Sequence, residues 1–275
     1  MPRGFSFAKW DGIRSLTTKE EMNQTVRWAA AFQPQQQQPN VFRTLTQTFN
    51  GPCAVRVFIK DGSKIHYSVI VNEGDVPVAV GQREILPTGE AFHHFLHVDD
   101  KWQSKGYGGR LLCNAVTWYR TLRTPKIHSI KITAGLSAGG SVWPKFGFRP
   151  VNAKEWTRTH RKIRLNIQKI PAQAKNEFQQ GMKQDLAAYV DNILAEIGPS
   201  GIWAISDLDI RDETRNIKIP ASDIPGADIY SLGTALLRGT RWKGILDLTL
   251  QTAVKRFENC FREKAKKSKQ IYSCI

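Results

Sequence analysis

The sequence predicts an α/β fold, a mixed sheet flanked by helices with a mostly helical C-terminal region, and three observations carry that prediction. Short runs of strand-forming residues recur between 55 and 98; a glycine-rich turn joins the last run to an amphipathic stretch; and beyond Pro171 the apolar residues take the 3.6-residue period. The chain has 275 residues of which 41% are hydrophobic, enough to bury a real core in one large or two modest domains.

Taken in order, Thr17 and Glu20 form a capping box that opens a helix to Phe32. The run Gln33-Pro-Gln-Gln-Gln-Gln-Pro39 breaks that helix and reads as an exposed loop. Val55–Ile59 is a strand; Ile65–Val71 and Val76–Val80 flank Asn72–Asp75 as a hairpin. Ala91–Val98, aromatic and free of Gly and Pro, is a buried strand. Leu111, Leu112, Ala115, Val116, Tyr119 and Leu122 recur at helical spacing until Thr124-Pro125 stops the helix. Ile127–Ala134 is a further strand, followed by a short helical stretch at Gly135–Gly140. Arg161–Gln168 reads as a strand with Ile163, Leu165 and Ile167 on one face and Lys162 and Arg164 on the other. Phe178, Met182, Leu186, Tyr189, Ile193 and Ile197 share a helical face, ended by Gly198-Pro199, and a last helix spans about 244 to 265. The division expected is a domain over 1–170 and a helical region over 171–275.

The segment Val98-x-x-x-x-Gln103-Ser-Lys-Gly-Tyr-Gly-Gly-Arg110 carries the chemistry. Gly106, Gly108 and Gly109 allow an anion close to the main chain. Backbone N–H groups of Gln103, Ser104, Lys105, Gly106, Tyr107, Gly108 and Gly109 then face phosphate oxygens at a helix start, with charge from Lys105 and Arg110. A dinucleotide fold is set aside, because the order is not Gly-x-Gly-x-x-Gly and no acidic residue closes the unit about 20 residues on.

A strand running through Gln-x-x-Gly-x-Gly into a helix, followed by a strand and Trp143-Pro-Lys-Phe-Gly147-Phe148, resembles the GNAT superfamily of N-acyltransferases over roughly residues 55–168. The resemblance implies a GNAT-like fold, acetyl-CoA as acyl donor with its pyrophosphate on the loop, and the main chain near Val98 as donor to the carbonyl oxygen. Candidate bases on the strands feeding the acceptor side are His94, His97, Glu90 and Glu84; the histidines are read either as proton carriers or as packed side chains. His93 and His97 are expected on one strand face and His94 on the other, so that the three share no metal ion. The family's acid, often a Tyr, is Trp143 here, and its common Asn is Leu136, which leaves Ser137, Ser141, a water or a C-terminal residue to protonate the thiolate. The activity implied is N-acetyl transfer to an amine. The alternatives to a macromolecular acceptor are a small amine or protein lysine, or a noncatalytic module that keeps the fold for binding.

Forty Lys plus Arg against 24 acids give +16, and both halves share it: 19 basic and 10 acidic residues in 1–150, 21 and 14 in 151–275. That excess exceeds what one cofactor needs and points to a polyanionic partner, RNA or DNA. Lys162 and Arg164, with Lys264, Lys266, Lys267 and Lys269 near the C-terminus, are the candidate phosphate contacts. Cys53, Cys113, Cys260 and Cys274 lie far apart, predicting neither a zinc site nor a disulfide framework. Asp207-x-Asp209-x-x-Asp212-Glu213 reads as a solvated loop. No signal-peptide core or apolar run of about 20 residues occurs, so the expectation is a cytoplasmic protein without a membrane partner.

Overall fold

The computed structural model describes residues 44–49, 53–60, 64–103, 105–123, 125–135, 139–169, 177–208 and 232–268. The helix expected at 17–32, the loop at 33–39, Ser104, Leu136, Ser137, the acidic residues at 209–213, and Lys269 lie outside them. The described residues fall into two compact units, divided after Ile130 and again after Cys260. The class is α/β, as the sequence predicts.

In the first unit β1 (Cys53–Lys60), β2 (Lys64–Glu73), β3 (Val76–Ile85) and β4 (Glu90–Val98) form an antiparallel meander. Gly74, at φ +59°, makes the β2–β3 turn, a left-handed position that glycine takes at no steric cost. Helix α1 (Tyr107–Thr121) buries Leu111, Leu112, Ala115, Val116 and Tyr119 of the stripe its sequence spacing predicts, and Trp118 besides, with Leu122 buried at its C-cap. Trp118 meets the Tyr67 ring of β2 edge-on at 5.0 Å. Asn114 ties the helix to the preceding turn, its amide donating to the Leu45 carbonyl and the Thr48 hydroxyl, both at 2.9 Å.

Strand β5 (Ser129–Ala134) leads into the second unit, which contains α2 (Gly139–Val142), a 3-10 turn at Trp143–Phe146, β6 (Arg149–Pro150), α3 (Ala153–Lys169), α4 (Glu177–Ile197), α5 (Gly201–Ser206), α6 (Leu232–Leu237), β7 (Trp242–Asp247) and the first part of α7 (Gln251–Ser268). Strand β7 lies between β5 and β6 and pairs antiparallel with β6.

Three expectations are corrected here. Residues 161–168 are helical, not a strand. Ile163 and Ile167 satisfy both a period of two and a period of 3.6, and the strand reading takes Leu165, 45% exposed, as their partner. The helix instead buries His160 and Trp156 one and two turns earlier on the same face, starting where the Asn152 carboxamide accepts the Glu155 N–H at 2.9 Å. Burying a Trp, worth roughly 2 kcal/mol or more, decides for the helix. Residues 242–247 are likewise a strand rather than the start of the last helix, with Trp242, Gly244 and Leu246 buried alternately. The Asp247 carboxylate then accepts the Thr249 N–H at 2.9 Å, a side-chain turn that ends the strand before α7 begins. Among the cysteines, Cys113 is disulfide-bonded, against the expectation, whereas Cys53 and Cys260 form no disulfide.

Candidate functional site

Strand β4 ends at Val98, and the chain returns on itself before α1 begins. The Asp99 carboxylate caps the 3-10 turn Asp100–Trp102, accepting the Lys101 N–H at 3.1 Å. The Gln103 carboxamide closes the loop, donating to the Val98 carbonyl at 3.3 Å and to the Asp100 carboxylate at 2.6 Å. Gly106 then caps α1 in the left-handed region at φ +81°, with no side chain bonded to the helix start. The first turn's backbone N–H groups have no intrahelical acceptor, and among the described residues no capping side chain takes them. They sit at the positive end of a fifteen-residue helix.

The three glycines do different work. Only Gly106 needs its conformation, because a residue with a Cβ is strained at that angle. A Cβ on Gly108 would stand 3.6 Å from Val98, and one on Gly109 3.5 Å from Phe261, ordinary contacts that the fold tolerates. What glycine adds at these two positions is an unshielded main chain at the helix start.

The flanking cations are held by aromatic rings. Lys105 Nζ lies 3.9 Å from the centre of the Trp102 ring. The Arg110 guanidinium sits over Tyr107 and Phe49, at 4.5 and 5.0 Å, and donates to the Thr48 carbonyl at 3.2 Å. Tyr107 is buried and donates its hydroxyl to the Glu73 carboxylate; burial first, and that bond second, push its pKa up.

A register shift rearranges the β4 histidines. Gln82 pairs with Phe95 but Arg83 pairs with His93, so His94 is an extra residue on β4, a β-bulge. His93 faces α1, where its Nε2 lies 3.0 Å from the Tyr119 hydroxyl. Beyond the bulge the alternation inverts, and Leu96 and Val98 take the α1 side while His97 falls on the opposite face. His94 and His97 therefore share a face and His93 stands apart, correcting the pairing that simple alternation predicts. His94 is half exposed, and its Nε2 lies 3.2 Å from Glu84 Oε2. The same oxygen is 3.2 Å from His66 Nε2 on β2, and the two imidazoles stack at 6.4 Å. His97 stacks on Phe95 at 6.0 Å.

Behind that face lies a buried polar cluster. Tyr67 and Tyr119 share a 2.5 Å hydrogen bond between hydroxyls, and Arg83 donates to the Leu111 carbonyl at 2.7 Å. Burial pushes the Tyr67 hydroxyl up to about 12, opposed by the Arg83 guanidinium. Burial holds the His93 imidazole well below its ordinary value, with Arg83 and His94 adding to the fall. An unfolded histidine takes up a proton below about pH 6.5 while native His93 stays neutral. The unfolded state then binds more protons, and stability falls as pH drops below that value. Between pH 6.5 and 5.5 the protein is expected to lose about 1 kcal/mol more than H93Q, measured by urea denaturation at both pH values. Parallel losses would show that native His93 carries a proton.

The remaining candidates are dispersed. Glu90 opens β4, at the end of the strand far from the glycine loop, about 26 Å of extended chain from Val98. Trp143 meets Phe148 edge-on at 5.1 Å. Lys162 is half-buried on α3, and Arg164 lies 3.4 Å from Asp191 of α4. Lys264, Lys266 and Lys267 fall in the last turns of α7. Among the described residues no cluster of three His, Cys, Asp or Glu could hold a metal ion, and no helix is long and apolar enough to cross a membrane. Sequence reasoning missed His66, whose only signal is its register opposite Glu84.

Fold and loop together define an α/β protein whose strand-to-helix junction is built on glycine and whose helix start has no side-chain cap among the described residues. No protein-family model matches the chain, and no curated protein does. Among solved structures it is similar to a mutant of the AtaT toxin bound to the C-terminus of the antitoxin AtaR and acetyl-CoA, at 16% identity and a TM-score of 0.26 over 32% of this chain and 61% of that one. It is also similar to a protein from Desulfovibrio desulfuricans named as a candidate acetyltransferase of the GNAT family, at 16% identity and a TM-score of 0.23 over 44% of this chain and 70% of that one. The chain thus spans less than two thirds of the AtaT toxin's length.

Proposed function

We propose that the protein is an acetyl-CoA-dependent N-acyltransferase of the GNAT kind, acting on an amine carried by a polyanionic macromolecule. The observation that carries this reading is the junction at Gly106: a left-handed, glycine-capped helix start with no side-chain cap, held at the end of β4 by Gln103. That geometry suits a pyrophosphate, which would accept from the N–H groups of residues 104–109, with Lys105 alongside for charge; the Gln103 N–H, expected to join them, donates to the Asp100 carbonyl at 3.3 Å instead. Ser104 contributes through its main chain in this reading, and Arg110, occupied by Thr48, Phe49 and Tyr107, holds the helix start in place. Acetyl-CoA brings the thioester. The protein's part is to orient it, to take a proton from the attacking amine, and to give one to the departing sulfur.

His94 is the base best supported. Its Nε2 donates to Glu84 in the tautomer this contact favours, leaving the Nδ1 lone pair for the amine proton. Glu84, between two imidazoles, fixes that tautomer and offsets the charge His94 gains. His97 shares the face and is the second candidate. The main chain near Val98 is the donor proposed for the carbonyl oxygen. Supporting a macromolecular acceptor is the +16 charge, far beyond what one CoA site requires.

The test is to incubate the purified chain with labelled acetyl-CoA and a cell extract, then fractionate. Label in an RNA, DNA or nucleoprotein fraction is the expected result. Label confined to small amines or to protein would move the acceptor, and none at all alongside intact CoA binding would favour a noncatalytic module.

A further inference from the structure

We infer that α3 and the neighbouring segment 238–243 of the second unit form a docking surface for double-helical RNA. This deepens the proposed reading by naming the macromolecule that carries the amine, and rests on that reading for the amine alone. Three sets of hydrogen bonds lay the segment antiparallel along the helix. The Asn166 carboxamide donates to the Leu236 and Arg238 carbonyls at 2.7 and 2.9 Å, Arg158 donates to the Arg241 carbonyl at 2.7 Å, and the Glu155 carboxylate accepts the Lys243 N–H at 3.0 Å. From Glu155 to Asn166 the helix rises about 16 Å.

Cations line both banks of this strip. Lys154, Arg158 and Arg161 recur at the i, i+4, i+7 spacing of one exposed helix face, while Arg241 and Lys243 are exposed on the facing segment. Among the described residues the acids beside these five are themselves paired: Glu155 accepts the Lys243 backbone N–H and pairs with Arg158, and Asp191 pairs with Arg164 and His160. A strand of nucleic acid carries one phosphate per about 3.4 Å of axis, so the strip matches roughly five phosphates. Shape selects the kind of helix. Helix α3 is flanked on one side by 238–243 and on the other by α4, where Asp191 reaches His160 and Arg164. A helix so flanked cannot enter a major groove about 12 Å wide, whereas the wide, shallow minor groove of A-form RNA accepts a flat, two-banked face through phosphates and 2′-hydroxyls.

The test is fluorescence anisotropy of the full chain with a labelled 20-base-pair RNA duplex, and with the DNA duplex of the same sequence, over a salt series. RNA should bind more tightly than DNA. K154Q/R158Q/R161Q should flatten the slope of log K against log salt by about 2, at 0.7 to 0.9 for each phosphate no longer neutralised. K154E/R161E, which touches no hydrogen bond named above, should abolish binding and covers the case in which replacing Arg158 perturbs the fold. R123Q/K126Q/K255Q removes the same charge from other exposed positions and should leave the slope nearly intact. Equal or tighter binding of DNA, an unchanged slope in the α3 variants, or equal flattening in the control triple would overturn the proposal. CoA binding, followed by calorimetry on the same samples, is independent of these outcomes: its absence would remove the acyltransferase reading and leave the RNA surface standing.

Discussion

Replacing Gly108 with Glu is expected to weaken CoA binding by at least about 100-fold while the protein stays folded. The position is chosen because structure and function separate there. A Cβ at Gly108 meets only the Val98 and Leu96 side chains, at 3.6 and 3.7 Å, so Gly108→Ala should fold normally and lose little affinity. The Glu carboxylate, however, stands at the helix N-terminus that the pyrophosphate would use, and an internal anion satisfies the same N–H groups and helix dipole. Two units of log K are about 2.7 kcal/mol, well within the worth of several charge-assisted hydrogen bonds. Gly106 is the less clean target, since any side chain at φ +81° is strained before a ligand arrives. Calorimetry with CoA checks this, and equal affinity in Gly108→Glu and wild type would remove the loop from the site.

The second large effect is expected at His94. If its imidazole takes the amine proton, H94Q should lower kcat by about 10²- to 10⁴-fold without changing CoA affinity. E84Q keeps the shape of the contact but not its charge, so it should lie between wild type and H94Q. His66, on the far side of the same carboxylate oxygen, acts through Glu84, and H66Q should lower kcat less than E84Q does. The readout is release of free CoA thiol in the presence of the extract fraction that takes up label. Full activity in H94Q with loss in H97Q would transfer the role to the other histidine on that face.

Most of the described part of the first unit is legible in the sequence because its signals are local. The β2–β3 turn at Gly74, the aromatic strand β4 and the apolar stripe of α1 each depend on residues within a few positions of one another. The bulges are not local. Counting back from the turn, where Glu73 pairs with Val76, an unbroken hairpin would set His66 opposite Arg83; the irregularity at Val71/Asn72 sets it opposite Glu84 instead. The extra residue at His94 likewise inverts His97. Each slip of one residue moves side chains to the other face, and nothing in the composition of β2 or β4 announces it. The second unit is harder to read for another reason. Ile163 and Ile167 fit helix and strand equally, and only the burial of Trp156 and the exposure of Leu165 separate them. The basic face of α3 is invisible until residues 154–169 are known to be helical, because Lys154, Arg158 and Arg161 align only at that period.

The central claim is that backbone N–H groups at the start of α1 hold the phosphates of an acyl-CoA, and hydrogen exchange reads those groups directly. With saturating CoA, deuterium uptake followed by mass spectrometry should slow in peptides covering 98–110, and Gly108→Glu should remove that protection. Protection that appears only elsewhere in the chain, or CoA binding that leaves the exchange of 98–110 unchanged, would contradict the claim.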